Sequence, residues 1–180
     1  MEAKRTYPSK QLLFRLFQIM KHLLPALGLA VIFAVSGFTV SVAIPVLLVN
    51  QGFLAVGGKA PTLGFLFLLL ALAIGRGLFR YGEHYFGHYV AFHSLADLRK
   101  LVFAKLRRLA PAKLDRQDSG SLLKMIGEDI EAIEVFFAHT VAPVCTGLIS
   151  SFIMWVFLSR ISPALGFLAL LTYLLLAVVL

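Results

Sequence analysis

LGFLFLLLALAIGRGLFRYGEHYFGHYVAFHSLADLRKLVFAKLRR, residues 63–108, decides the fold. It begins as a purely apolar run and takes on charge and histidine from Arg76 onward, with no proline between Pro61 and Pro111. At 1.5 Å per residue this reads as one helix roughly 70 Å long. A bilayer's hydrocarbon core needs only about 30 Å, so the helix spans the membrane (63–90) and continues into water as far as residue 108. Arg76, Arg80, His84 and His88 recur every four residues and share one face.

Composition agrees with a polytopic all-α membrane protein. Of 180 residues, 59% are hydrophobic and only 14% charged, and mean hydropathy is +0.88. A soluble domain would be roughly a quarter charged. The net charge of +8 is not a nucleic-acid signature, because of where it sits. Lys4, Arg5, Lys10, Arg15 and Lys21 precede the first apolar run, and a second basic group lies between Arg99 and Lys124. Only Lys59 and Arg160 fall in the other two connections. This asymmetry places the N-terminus and the 99–130 segment in the cytoplasm. The first apolar run starts too late and runs too long for a cleaved signal peptide. Cys145 stands alone and forms no intrachain disulfide.

Outward from the central stretch, residues 1–24 read as a cytoplasmic tail and an amphipathic helix in the membrane interface. Leu12, Leu13, Leu16, Ile19, Met20 and Leu23 share its apolar side, and Lys10, Arg15, Gln18, Lys21 and His22 its wet side. The first span is expected over 25–49, kinked at Pro45, with a glycine-rich outer connection over 50–62. Beyond Pro111, Asp118 or Ser119 caps a short transverse helix (118–127) whose Leu122, Leu123 and Ile126 form an apolar docking patch. Gly127 is expected to end it. A new helix then starts near Glu128, with Glu128, Asp129, Glu131 and Glu134 at its positive end, and spans over 130–158. Trp155 marks the outer interface. Residues 163–180 start a fourth span without a basic anchor after it, so the natural protein is expected to be longer.

Two helices of this length, joined in the cytoplasm by a short transverse one, resemble the transmembrane domain of an ABC exporter. SGSLLKMIGEDIEAIE is similar to that fold's first coupling-helix pattern, glycine-x-leucine-leucine followed by aspartate and a β-branched residue, at Gly120, Leu122, Leu123, Asp129 and Ile130. RYGEHYFGHYVAFHSLADLR followed by KLRRLAPAKL more closely resembles the CydC half of bacterial CydDC thiol exporters, on Arg80, Tyr81, Glu83, His88, Phe92, Leu95, Leu98 and Arg99. The resemblance covers residues 75–145, and the 45–52 portion departs from the CydC pattern. It implies a permease half with six spans and a nucleotide-binding domain carrying ATP and Mg²⁺ outside this sequence. It further implies a second half-transporter, with a heterodimer expected, in the bacterial inner membrane. The implied activity is ATP-driven export of cysteine and glutathione in support of cytochrome bd assembly. Ser119, Gly120, Leu122, Leu123, Lys124 and Ile126 would then form the coupling helix.

The resemblance also implies haem, with His88 as axial ligand and Arg80, Arg76 or His84 at the propionates. The residues alone leave other readings open. Arg80 and Glu83, three apart, can pair as part of a cavity-lining ion network, and the arginines can take an anionic substrate. A different class, a small haem-binding redox or anchor subunit of four spans, uses the same histidines; His84 and His88 also have the i, i+4 spacing of zinc-binding helices, but no metal is expected beyond haem iron at His88. No catalytic constellation is present: the phosphate-binding pattern G-x-x-x-x-G-K-[ST] is absent, and the GGK at 57–59 lacks its first glycine and its hydroxyl.

Overall fold

The computed structural model describes residues 9–109 and 119–179. Every element in them is helical: α1 (Ser9–Met20), a 3₁₀ turn (Lys21–Leu23), α2 (Leu24–Val56), α3 (Leu63–Leu109), α4 (Ser119–Phe136), a π turn (Phe137–Val141), α5 (Ala142–Ile161) and α6 (Pro163–Val179). The stretches Phe17–Val56, Leu63–Arg108 and Ile126–Ile161 are long and apolar enough to cross a membrane, and Pro163–Leu176 is a shorter apolar helix. The apolar surface faces outward, as a lipid-facing chain requires: Phe67, Leu78, Phe152, Leu148 and Phe167 are all exposed.

α3 is the single 47-residue helix read from the sequence. Thr62 caps it, its Oγ1 accepting the Phe65 N–H at 3.2 Å. α2 lies against it as an antiparallel hairpin, and glycine lets the two approach. The Phe33 ring of α2 sits on Gly82 of α3, and Phe79 of α3 lies against Gly37 of α2. Phe33 packs between Phe79 and Phe86, with ring centroids 6.2 and 5.6 Å away. Small residues at the contact are the usual device where lipid removes the hydrophobic drive for helices to associate.

Three boundaries differ from the sequence reading. The first helix does not stop at 49 but runs to Val56 through Pro45. Phe53, Leu54 and Val56 continue the apolar run, so the connection shrinks to 57–62. There Gly58 adopts φ +85°, a left-handed conformation suited to glycine. The second difference is at Gly127, which does not end a helix: α4 runs unbroken from Ser119 to Phe136. One interior glycine costs only about 1 kcal/mol relative to alanine. Lys124 and Glu128 also bridge the point at 3.8 Å. Glu128, Asp129, Glu131 and Glu134 therefore lie inside a helix, not at its start. The third difference is the π turn at Phe137–Val141. Pro143 follows it and cannot donate to the carbonyl of His139 four residues back, so the backbone widens upstream of the proline.

A buried cluster forms where the end of α1 and the 3₁₀ turn meet α3, α4 and the π turn. Met20, Leu23 and Val90 are almost fully buried, with Phe17, Ile133, Phe136 and Val141 against them. Ser94 is fully buried beside them and donates its hydroxyl to the Ala91 carbonyl at 2.7 Å. α1 is thus pinned by its C-terminal end, while Phe14 and Ile19 remain exposed. At the other end, Ser162 takes an extended conformation and its N–H returns to the Leu158 carbonyl, closing the turn before Pro163.

Candidate functional site: the aromatic and basic face of α3

One helix supplies the whole candidate site. Arg76, Arg80, His84 and His88 are all exposed on α3. Steps of four residues drift about 40° per step around the axis, so the four form a slowly winding stripe. Arg80 Nη1 donates to Glu83 Oε2 at 2.8 Å, with the arginine side chain 63% exposed. Arg76 stands one turn nearer the N-terminal end of α3.

Beside the stripe runs an open groove of about 580 Å³ walled by Tyr81, His84, Tyr85, His88, Tyr89 and Phe92, with His93 at its inner end. The walls are two rows of rings at four-residue spacing. Tyr81 stacks on Tyr85 at 6.2 Å. In the second row His84 stacks on His88 at 6.3 Å and His88 on Phe92 at 5.9 Å. His93 belongs to the fold more than to the groove: its Nδ1 bonds the Tyr89 carbonyl at 2.9 Å, and its ring lies 3.9 Å from that of Tyr89.

His22, read from the sequence as part of a wet face, has a partner 75 positions away. Its Nε2 meets Asp97 Oδ2 at 2.9 Å, joining the 3₁₀ turn after α1 to the second half of α3. His139 is exposed on the π turn and stands apart from the groove lining. The sequence reading does not single out the tyrosine row, although tyrosines at 81, 85 and 89 carry its four-residue spacing. Asp97 carried no signal, since nothing local links it to His22.

The coupling-helix residues Ser119, Gly120, Leu122, Leu123, Lys124 and Ile126 all fall in the first half of α4. Gly120 and Lys124 are exposed and Ile126 half-buried. The side chains of Ser119, Leu122 and Leu123 lie outside the described residues, as does Asp118. Among the described residues no three histidine, cysteine or carboxylate side chains group as a metal centre.

A helix long and apolar enough to cross a membrane thus carries a polar stripe and extends well past that length before α4 returns toward it. Residues 27–180 match the family described as the ABC transporter transmembrane region. The chain belongs to that family. As an ABC transmembrane region it takes its place among transporters, not redox or anchor subunits. It is 43% identical over 117 residues to a probable ABC transporter ATP-binding/permease protein of Haemophilus influenzae, covering 65% of this chain and 21% of that protein. It is also similar to two glutathione/L-cysteine transport system ATP-binding/permease proteins CydC. The one from H. influenzae is 34% identical over 95 residues, 53% of this chain and 16% of that protein. The one from Escherichia coli K12 is 30% identical over 118 residues, 63% of this chain and 21% of that protein. The chain thus spans about a fifth of the length of these relatives. In H. influenzae the ABC protein that resembles it more strongly is distinct from that organism's CydC.

Proposed function

We propose that this transmembrane region forms the permease part of an ATP-driven exporter of small anionic thiols of the cysteine and glutathione class. The reading includes a nucleotide-binding domain in the same polypeptide and a second, non-identical half-transporter. It also includes residence in the bacterial inner membrane with the N-terminus in the cytoplasm and a contribution to cytochrome bd assembly. The observation that carries it is the stripe Arg76, Arg80, His84, His88, exposed on one face of a spanning helix. Arg76 and Arg80 fall within the span, where ionisable side chains are costly and normally face a cavity or substrate path. Guanidinium groups offer planar, bidentate donors to carboxylates, and glutathione carries two. Arg76 is the freer donor, because Arg80 already holds Glu83 at 2.8 Å. The similarity to two glutathione/L-cysteine transporters supports the substrate class.

On this reading the first half of α4 docks on the nucleotide-binding domain. Motion there reaches the cavity through the cluster around Met20, Val90 and Phe136. The test is ATP-dependent uptake of labelled glutathione and cysteine by inside-out proteoliposomes holding the full-length protein with its partner. Arg76→Ala is expected to lower kcat/KM for glutathione by about tenfold, the loss of one charge-assisted pair. Equal transport of uncharged solutes, or an unaltered Arg76→Ala, would refute the assignment.

A second reading, haem at His88, is favoured by the ring itself. His88 is exposed, its nitrogens meet no hydrogen-bond partner among the described residues, and flat aromatic neighbours flank it. The residues fit in part. His88 would hold the iron through a ring nitrogen, and Arg80, roughly 12 Å along the helix axis, would meet a carboxylate of the group. Arg76, roughly 18 Å away, lies beyond such a ring's edge. Bound haem would supply redox chemistry or sensing. His88→Ala should abolish a Soret band in purified protein, and a retained, unchanged band would exclude the ligand.

A further inference from the structure

His84 and His88 lie one turn apart on the same exposed face of α3, their rings within 21° of parallel and 6.3 Å apart. Their surroundings differ from those of His22 and His93, each of which commits a ring nitrogen, to Asp97 and to the Tyr89 carbonyl. Among the described residues, His84 and His88 make ring contacts only. Four imidazole nitrogens are thus available on one turn, at the edge of an open groove.

We propose that His84 and His88 together form a two-imidazole site for a first-row transition-metal cation of the Zn²⁺, Ni²⁺ or Cu²⁺ group. Imidazole suits these cations, and histidines at i and i+4 on one helix converge on a single ion. With metal–nitrogen bonds of about 2 Å, two rings sharing a tetrahedral cation have centroids roughly 5 Å apart. The observed pair stands about an ångström wider and stacked, so ligation requires both rings to turn about their side-chain torsions, which their exposure leaves free to do.

The electrostatics permit a cation. Glu83 offsets Arg80 at 2.8 Å, and Arg76 is roughly 12 Å along the axis from His84. The position permits access as well. His84 lies roughly 32 Å along α3 from Leu63, about the thickness of the hydrocarbon core. The pair therefore meets water at the inner mouth, and water completes the coordination sphere. The site is independent of the transported solute. It differs from the haem reading in making His84 a ligand equal to His88.

The experiment uses full-length, haem-free protein in nanodiscs, without a histidine tag. Zn²⁺ alone is titrated by calorimetry, and Co²⁺ alone by its visible absorption. One cation per chain is expected in the micromolar range. His84→Ala and His88→Ala should each weaken binding at least about tenfold, and His139→Ala should leave it unchanged. Thermal unfolding of each variant without metal separates ligand loss from misfolding. If His84→Ala fails to fold, His84→Gln at the same position is titrated instead. Absence of stoichiometric binding in the wild type would overturn the proposal. So would wild-type affinity in the His84 variant while His88→Ala loses the ion, which assigns His88 as a lone ligand. Thiol transport is read in a separate assay, so its failure leaves this result legible.

Discussion

Gly82→Ala and Gly87→Ala, five residues apart on one helix, are expected to change stability in opposite directions. A methyl at Gly82 would meet the Phe33 ring at 2.6 to 2.8 Å, whereas one at Gly87 would meet nothing within 4 Å. Alanine in a helix interior gains about 0.5–1 kcal/mol over glycine. At Gly87 that gain stands alone, and the variant should be more stable by this amount. At Gly82 the ring must retreat by about an ångström, but Phe79 and Phe86 hold it on both sides at 6.2 and 5.6 Å. Overpacking of this kind costs about 1–3 kcal/mol. The net effect is a loss of about 0.5–2 kcal/mol. The assay is thermal unfolding of the purified protein in nanodiscs, with unfolding temperatures expected on either side of wild type. Phe33→Leu should relieve the clash, so the double variant Phe33→Leu/Gly82→Ala should be better than additive by about 1 kcal/mol. A Gly82→Ala protein as stable as Gly87→Ala, with no coupling to Phe33, would refute the packing of α2 against α3.

Three further outcomes follow from the geometry. His22→Ala or Asp97→Asn should raise amide exchange across Ser9–Leu23 while costing under about 1 kcal/mol, since the pair is partly exposed and salt-screened; unchanged exchange would show that Met20 and Leu23 hold the helix unaided. Leu122→Asp with Leu123→Asp in the full-length protein should leave basal ATPase activity but abolish its stimulation by substrate, and intact stimulation would remove these residues from coupling. In a Cys145→Ser background, Lys59→Cys should react with an impermeant maleimide from the periplasmic side and Lys105→Cys only from inside, and the reverse pattern would invert the topology.

Much of this architecture was legible in the chain without coordinates. The length of α3 follows from an uninterrupted, proline-free run, and the membrane class from hydropathy, because both are sums over neighbouring residues. The polar stripe was equally legible, since residues four apart must share a helical face. Boundaries that depend on competing small terms were not. Gly127 reads as a stop, yet α4 runs through it, because one interior glycine costs only about 1 kcal/mol and the residues on either side of it are helical. The visible interruption moved to Phe137–Val141, where Pro143 acts on the backbone behind it.

What the sequence determined by itself was that the chain is helical, that several of its runs are long and apolar enough to cross a membrane, and which ionisable groups recur along one side of α3. These are local quantities, set by spacing and composition. Tertiary structure alone decided that His22 belongs to Asp97, that Phe33 sits on Gly82, and that Met20 and Leu23 share a cluster with Val90 and Phe136. Each of those contacts joins helices distant in the chain. The same pairings explain why His84 and His88 retain open ring nitrogens: α2 and the interfacial helix cover other parts of α3, and the groove they line remains open.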